Sequence, residues 1–302
     1  MLKSIRHTFL ILVLLIPFVI SSCSTFDPPV VIPIYGHIDS IHFTIPPDSV
    51  NKQGSASSKI PYTWVYLDDN PVGAFQMPCT FPMVAGNGTH NIKIYSGVAA
   101  AGGTSPVSIN PFYQYYSINI NMQQGSTYKF QPVSMYYSWV TFPFMENFDE
   151  SSNVPTHIVN YHGGGNAATA STTSMLITNK RGLVFQGKGS GMTVVNSAHP
   201  YYIGITNPGN SLPNSGSPVY MELNYRATTI FTIGMFDADT TNQSNPILVY
   251  PAPTWTKMYV TLNSTISTFN IQPQNIYFTI GLDSVDDHTS DTLLLDNIKI
   301  LD

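Results

Sequence analysis

Cysteine, glutamate and charge are all scarce in this chain, and each scarcity removes a class of function. Cys23 and Cys79 are the two cysteines in 302 residues, so no disulfide framework carries the fold. Cys79, in MPCTFP, reads as a small buried hydrophobe. Charged residues make up 10% of the chain, against ~25% in an ordinary soluble protein. The net charge is −5 and Lys and Arg form no cluster, which argues against nucleic acid as a partner. Glutamate occurs only as Glu146, Glu150 and Glu222. A retaining glycosidase needs two carboxyl groups ~5 Å apart, and no E-x-D-x-x-E run places such a pair on one strand. Gly187-Lys188-Gly189-Ser190-Gly191 departs from G-x-S-x-G at Lys188. The near P-loop at residues 182–189 ends in Gly189 where Ser or Thr would hold Mg²⁺. His37/His42 and His157/His162 are five apart, which puts neither pair on one face of a strand. Asp237-Ala238-Asp239 lacks the later positions of a calcium loop. The chain reads as a non-enzyme.

What is abundant is strand and turn chemistry. Hydrophobic residues are 43% of the chain, with 18 Tyr, 16 Phe, 21 Gly and 23 Pro. That mixture buries a core and excludes disorder. No segment of ten residues has a convincing helical period, so the predicted class is all-β.

The N-terminus has its own organisation. Lys3, Arg6 and His7 precede the apolar run LILVLLIPFVISSC, which ends at Cys23. The run is too short to span ~30 Å of hydrocarbon and has the layout of an export signal. Small residues directly before the cysteine resemble the lipobox of bacterial lipoprotein signal peptides. The resemblance implies a signal peptide at 1–22, lipidation of Cys23 and a lipid-anchored protein. An ordinary signal peptide beside a chance cysteine is the competing reading. Residues 23–33, rich in proline, read as a stiff tether. About 280 residues follow the signal, enough for two domains with separate cores.

The first domain is expected over 34–140. His37 to Ile45 alternates as one half-buried strand. Trp64-Val65-Tyr66-Leu67, then Asp68-Asp69-Asn70-Pro71, then Val72-Gly73-Ala74-Phe75 reads as a hairpin, because Asp and Asn tolerate the left-handed region. Val65 and Leu67 point inward, and Asp68 and Asp69 face water. WVYLDDNPVGAF followed by CTFPMVAGNGTHNIKIYSG resembles the PEGA-type domain, a small immunoglobulin-like β-sandwich, with Asn70 replacing the family's turn glycine. The resemblance implies a surface-associated module without catalysis. The clusters Tyr113 to Tyr116 and Tyr136 to Val140 read as core and cross-strand packing, with a glycan-stacking face as the other reading.

The second domain is expected over 145–302, with strands at 183–186, 192–195, 219–226, 229–236, 257–262, 276–282 and 293–300. ENFDE, VYMELNYR, TWTKMYVTL and the closing LLLDNIKIL resemble the galactose-binding-like jelly roll shared by many carbohydrate-binding modules. The resemblance implies a core position for Trp255. It also implies a structural Ca²⁺ on Glu146, Asp149 and Asp296, hard oxygen ligands of the kind that ion requires; the alternative is that Asp296 hydrogen-bonds a neighbouring turn without a metal. For a ligand, Tyr161 beside a glycine run and Tyr201-Tyr202 after Pro200 are candidate loop platforms for sugar rings. Asn166, Asn196 and Gln186 are candidate readers of hydroxyl pairs.

Together these resemblances describe a Bacteroidetes-type outer-membrane lipoprotein. D-[S/T]-apolar triplets such as Asp39-Ser40-Ile41 and Asp291-Thr292-Leu293 resemble that group's O-glycosylation acceptors. The implied function is a surface glycan-binding or adhesion module, with a structural subunit of an outer-membrane complex as the alternative. The two domains are expected to separate near Phe142 to Phe144.

Overall fold

The computed structural model describes residues 32–102, 107–162, 171–214, 216–238, 240, 242–267, 272–281 and 289–302. Cys23, the signal segment, most of the tether and Asn166 lie outside the described residues. The chain is all-β. Among the described residues helix is confined to single turns at Pro47–Ser49, Val50–Gln53 and Asn263–Ile266.

The first half contributes β1 (Ile34–Ile38), β2 (His42–Phe43), β3 (Tyr62–Leu67), β4 (Asn70–Gln76), β5 (Cys79–Met83), β6 (Gly88–Ala101), β7 (Val107–Ile109), β8 (Tyr116–Met122), β9 (Thr127–Phe130) and β10 (Val133–Ser134). The second contributes β11 (Phe144–Glu146), β12 (Ile158–Asn160), β13 (Leu176–Thr178), β14 (Ser190–Asn196), β15 (Tyr201–Thr206), β16 (Tyr220–Ala227), β17 (Phe231–Phe236), β18 (Ile247–Val249), β19 (Ala252–Thr261), β20 (Asn275–Gly281) and β21 (Ser290–Leu301).

In the first half, β4, β3, β6 and β8 form one layer and β5, β1 and β9 the other. Val65, Leu67, Ile92 and Ile94 pack against Ile34, Ile38, Phe81 and Phe130 between them. The hairpin between β3 and β4 turns at Asp68 and Asp69, both at positive φ (49° and 63°), as a two-residue hairpin turn demands. The Asp68 carboxylate accepts the Asn91 backbone N–H at 2.8 Å, which pins the turn to β6. Both aspartates are exposed, and Val65 and Leu67 are buried.

In the second half, β13, β14, β21, β16 and β19 form one sheet and β12, β15, β20, β17 and β18 the other. Leu223, Tyr225, Leu295 and Ile298 meet Ile233, Met235 and Phe278 in the largest core. Period-2 alternation assigns Met221, Leu223 and Tyr225 to that core. It sends Glu222 and Asn224 to the outer face of the sheet, where both are nonetheless buried.

Glu222 is buried because the halves are fused, Tyr113 and Tyr136 of the first half covering it. β6 runs parallel to β19, with Ala100 opposite Tyr259 and Ala101 opposite Val260, so one 11-stranded sheet crosses from the first half into the second. A shared cluster joins Phe43, Val98, Phe112, Tyr113 and Tyr136 to Tyr220, Tyr259 and Leu301.

Three sequence expectations change. The strand expected over His37 to Ile45 is broken, since β1 ends at Ile38 and β2 resumes at His42. Residues 183–186 form no strand. Gly182 (φ 84°) and Gly187 (φ 71°) bracket them with left-handed backbone, which turns the chain out of extended conformation. Trp255 lies outside the core, half-buried against Phe185, with ring centroids 5.5 Å apart.

Candidate functional site

The tyrosines expected to present rings to solvent do not. Tyr202 is 0% exposed. It sits within β15 and packs into the largest core, while Ile203 beside it faces a small cluster on the other side of the sheet. Its ring lies over Gly204, where an added Cβ would collide with the hydroxyl. Tyr161 is buried and stacks on Phe236, with centroids 4.9 Å apart and planes 22° apart. Tyr201 packs half-buried against the same small cluster of Tyr161, Ile203, Phe236 and Tyr277. Extended backbone from Pro200 onward claims these rings for packing, so they form no loop platform. Asn196 spends its side-chain oxygen on a turn, accepting the Ala198 and His199 N–H groups at 3.0 and 2.9 Å.

Gln186 does reach a cavity. A cleft of about 570 Å³ opens where the helical turn Val50–Gln53 meets β11, the 186–190 loop and β21. Its wall includes Asn51, Asn147, Gln186, Asn297, Glu150 and Lys299. A hydrogen-bond web forms one side. Ser55 Oγ donates to Gln186 Oε1 at 2.5 Å, Asn297 Nδ2 donates to the same oxygen at 3.2 Å, and Lys299 Nζ donates to the Ser55 carbonyl at 2.5 Å. The first half therefore builds part of a site in the second. Asn297 and Lys299 belong to the closing LLLDNIKIL segment, but nothing in their spacing announces a cleft formed with residues 50–55.

The electrostatics are shaped by burial. Burial lowers the Lys299 amine to about 7, against the opposing pull of Glu222. Burial raises the Glu146 carboxyl, and the Phe148 N–H bond opposes it. Burial raises Asp296 to about 7, against the Ser190, Gln186 and Asn297 donors.

The expected calcium ligands are not brought together. Among the described residues the group whose ligand atoms converge, within 4.8 Å of one another, is Glu146, Glu150 and His157. Asp149 and Asp296 instead hold the 186–190 loop. Asp149 Oδ1 accepts Lys188 N–H at 2.5 Å, and Asp296 Oδ2 accepts Ser190 Oγ–H at 2.6 Å and Gln186 N–H at 3.3 Å. Oxygens committed to protein donors leave Glu146, Asp149 and Asp296 a poor fit to one calcium ion, which takes six to eight oxygens.

No protein-family model matches the chain, and no curated protein matches it. Among solved structures, it is similar to a family 29 carbohydrate-binding module complexed with mannohexaose, at 10% identity over 54% of this chain and 92% of that one, with a TM-score of 0.35. It is also similar to TmCBM61 in complex with β-1,4-galactotriose, at 10% identity over 51% and 92%, with a TM-score of 0.32. A cyclase from Fischerella sp. TAU aligns at 12% identity over 54% and 96%, with a TM-score of 0.37.

Proposed function

We propose that the protein is a non-catalytic, lipid-anchored envelope protein that binds glycan in the cleft between its halves. The observation that carries this reading is the lining. Amides of Asn51, Asn147, Gln186 and Asn297 stand beside carboxylates of Asp149 and Glu150 around about 570 Å³. Planar amides and carboxylates pair with adjacent sugar hydroxyls, and a few placed polar groups fix a ligand's orientation. Glu146 supports the non-catalytic reading. Its two oxygens accept the Phe148 and His157 backbone N–H groups at 2.7 and 3.3 Å, which commits both to local structure. A glycan-array screen of residues 34–302 tests the reading. Binding should appear and fall at least tenfold in the Gln186→Ala/Asn147→Ala double variant. Undiminished binding by that variant would move the site elsewhere.

The anchor is assigned to Cys23, and among the described residues no helix is long and apolar enough to cross a membrane. Cys23→Ser should move the protein to the soluble fraction; retention in membranes sinks the lipid-anchor reading.

A structural-subunit role would use a different surface. A mostly apolar groove of about 400 Å³ runs past Ala99, Leu248, Met258 and the 71% exposed Tyr250. A photo-crosslinker at Tyr250 that captures an outer-membrane protein in whole envelopes would favour it.

A further inference from the structure

The outer face of the first sandwich carries a sheet of aromatic rings that neither the cleft nor any core uses. In β3, Thr63, Val65 and Leu67 are buried, while Tyr62, Trp64 and Tyr66 alternate with them on the opposite, half-exposed face. Register sets Trp64 beside Tyr95 of β6, Tyr62 beside Gly97 and Tyr66 beside Lys93. Tyr95 meets Tyr115 with centroids 4.9 Å apart and planes 34° apart, and Tyr66 edge-on at 5.3 Å. Tyr137 and Trp139 stack at 5.8 Å with planes 16° apart. Trp139 is 53% exposed and Tyr115 39%.

Gly97 is what lets this surface lie flat. A Cβ at residue 97 would overlap the Trp64 indole and stand 2.9 Å from the Tyr62 Cβ. With hydrogen there instead, the indole rests across the neighbouring strand. Three columns of side chains from β3, β6 and the approach to β8 span about 10 Å at ~4.8 Å per strand.

The rest of the face indicates the occupant. Its other outward positions include Gln76, Ala74 and Pro71 on β4, Asn91 and Lys93 on β6, Ile109 of β7 opposite Gly97, and Ser117 and Asn119 on β8. Val65, Ile92, Ile94 and Leu67 all point the other way, into the core. Lys93 is matched by Asp69 at 2.5 Å, so the patch carries no surplus charge. The Asn91 amide donates to Asn119 Oδ1 at 2.8 Å and Ser117 Oγ at 3.1 Å, leaving a row of amides and hydroxyls along one margin. Rings bordered mainly by amides and hydroxyls suit the C–H faces and hydroxyl edges of a sugar. We propose that this face is a second binding site, a platform for a neutral, extended polysaccharide, independent of the cleft.

Affinity electrophoresis of the full chain in non-ionic detergent tests this with hydroxyethylcellulose, galactomannan and arabinoxylan, and with alginate as the charged control. At least one neutral polymer should retard the protein and alginate should not. Trp64→Ala should weaken retardation about three- to tenfold, the scale of one ring contact. Tyr115→Ala, at a more exposed position, should do the same while the melting temperature stays unchanged. The Gln186→Ala/Asn147→Ala variant should be retarded as the parent is, which separates the platform from the cleft. Binding should also shift tryptophan emission in Trp255→Phe, where only Trp64 and Trp139 remain. Retardation that survives both ring variants, or retardation by no neutral polymer, overturns the proposal. So does a dimer that Trp64→Ala dissociates, since a second copy would then cover the face.

Discussion

The Tyr113 hydroxyl donates to the Glu222 carboxylate over 2.9 Å, with both side chains fully buried and each contributed by a different half of the chain. Tyr136 donates to the other Glu222 oxygen at 3.0 Å, and Lys257 pairs with that same oxygen at 3.1 Å. Burial alone would raise this carboxyl, and Lys257 and Lys299 together hold it below its ordinary value. Glu222→Gln leaves two buried lysines without their counter-charge. Removing one partner of a buried pair costs about 3–5 kcal/mol, and urea unfolding should show a loss of that size. Tyr113→Phe, which removes one donor, should cost about 1–3 kcal/mol.

The same contacts bear on where the chain can be divided. A cut at residues 142–144 strips Tyr113 and Tyr136 from Glu222 and exposes the β19 edge that pairs with β6. Heating the intact protein should therefore give a single transition. The isolated 145–302 fragment should melt well below it or aggregate. Two independent transitions matching those of the separate fragments would refute this.

Lys299 makes stability depend on pH. Its folded value of about 7 lies below the ordinary lysine value of 10.5. Below pH 7 both states bind the proton and the folded state bears the full cost of a buried charge. Between pH 7 and 10.5 the unfolded chain binds more protons, so stability rises with pH. Urea midpoints should increase from pH 7 to 9.5, and Lys299→Met should flatten that rise. Asp296 acts in the opposite sense lower down. Its folded value of about 7 is above the ordinary 3.8, so its contribution is greatest below pH 4 and falls as pH climbs to 7.

Tyr202→Phe separates packing from binding. The Tyr202 hydroxyl is buried with no hydrogen-bond partner among the described residues, and burial raises its pKa. Deleting a buried, unpartnered polar group should be neutral or stabilise by about 1 kcal/mol. Calorimetry should show no loss of stability, and glycan affinity should not change. A destabilised or binding-defective variant would show that the hydroxyl has a partner.

Much of the architecture can be read from residue order, because it rests on local chemistry. The Asp68-Asp69 turn, the inward Val65 and Leu67, and the strands at Ser190–Asn196, Tyr220–Ala227 and Ser290–Leu301 follow, to within a few residues at their ends, from period-2 alternation and turn residues. The 183–186 segment misleads because Leu-Val-Phe has strand composition, while two flanking glycines at positive φ turn it into a cover over Trp255. The tyrosines mislead for a related reason. Glycines after Tyr161 and proline before Tyr201 suggest raised loops, but Tyr161 stacks on Phe236 and the Tyr202 ring lies over Gly204. Pairing of Ala100 with Tyr259 leaves no local trace, since it depends on two distant strands meeting, and the cleft with Gln186 and Ser55 inherits that silence. The aromatic face is half legible: Tyr115, Tyr137 and Trp139 stand in conspicuous clusters, but only register reveals that Trp64 and Tyr95 join them.

The placement of β1 has a mechanical consequence. It is held on one side by β5, from Ile34 opposite Met83 to Ile38 opposite Cys79, and on the other by β9, from Tyr35 opposite Thr127 to Ile38 opposite Phe130. A pull through the residues before Ile34 runs along this strand, while its ladder bonds lie across it. Both ladders then resist in shear and share the force, instead of opening one bond at a time. Traction on the N-terminal side would thus be met at the first strand, before it reached the aromatic face or the cleft.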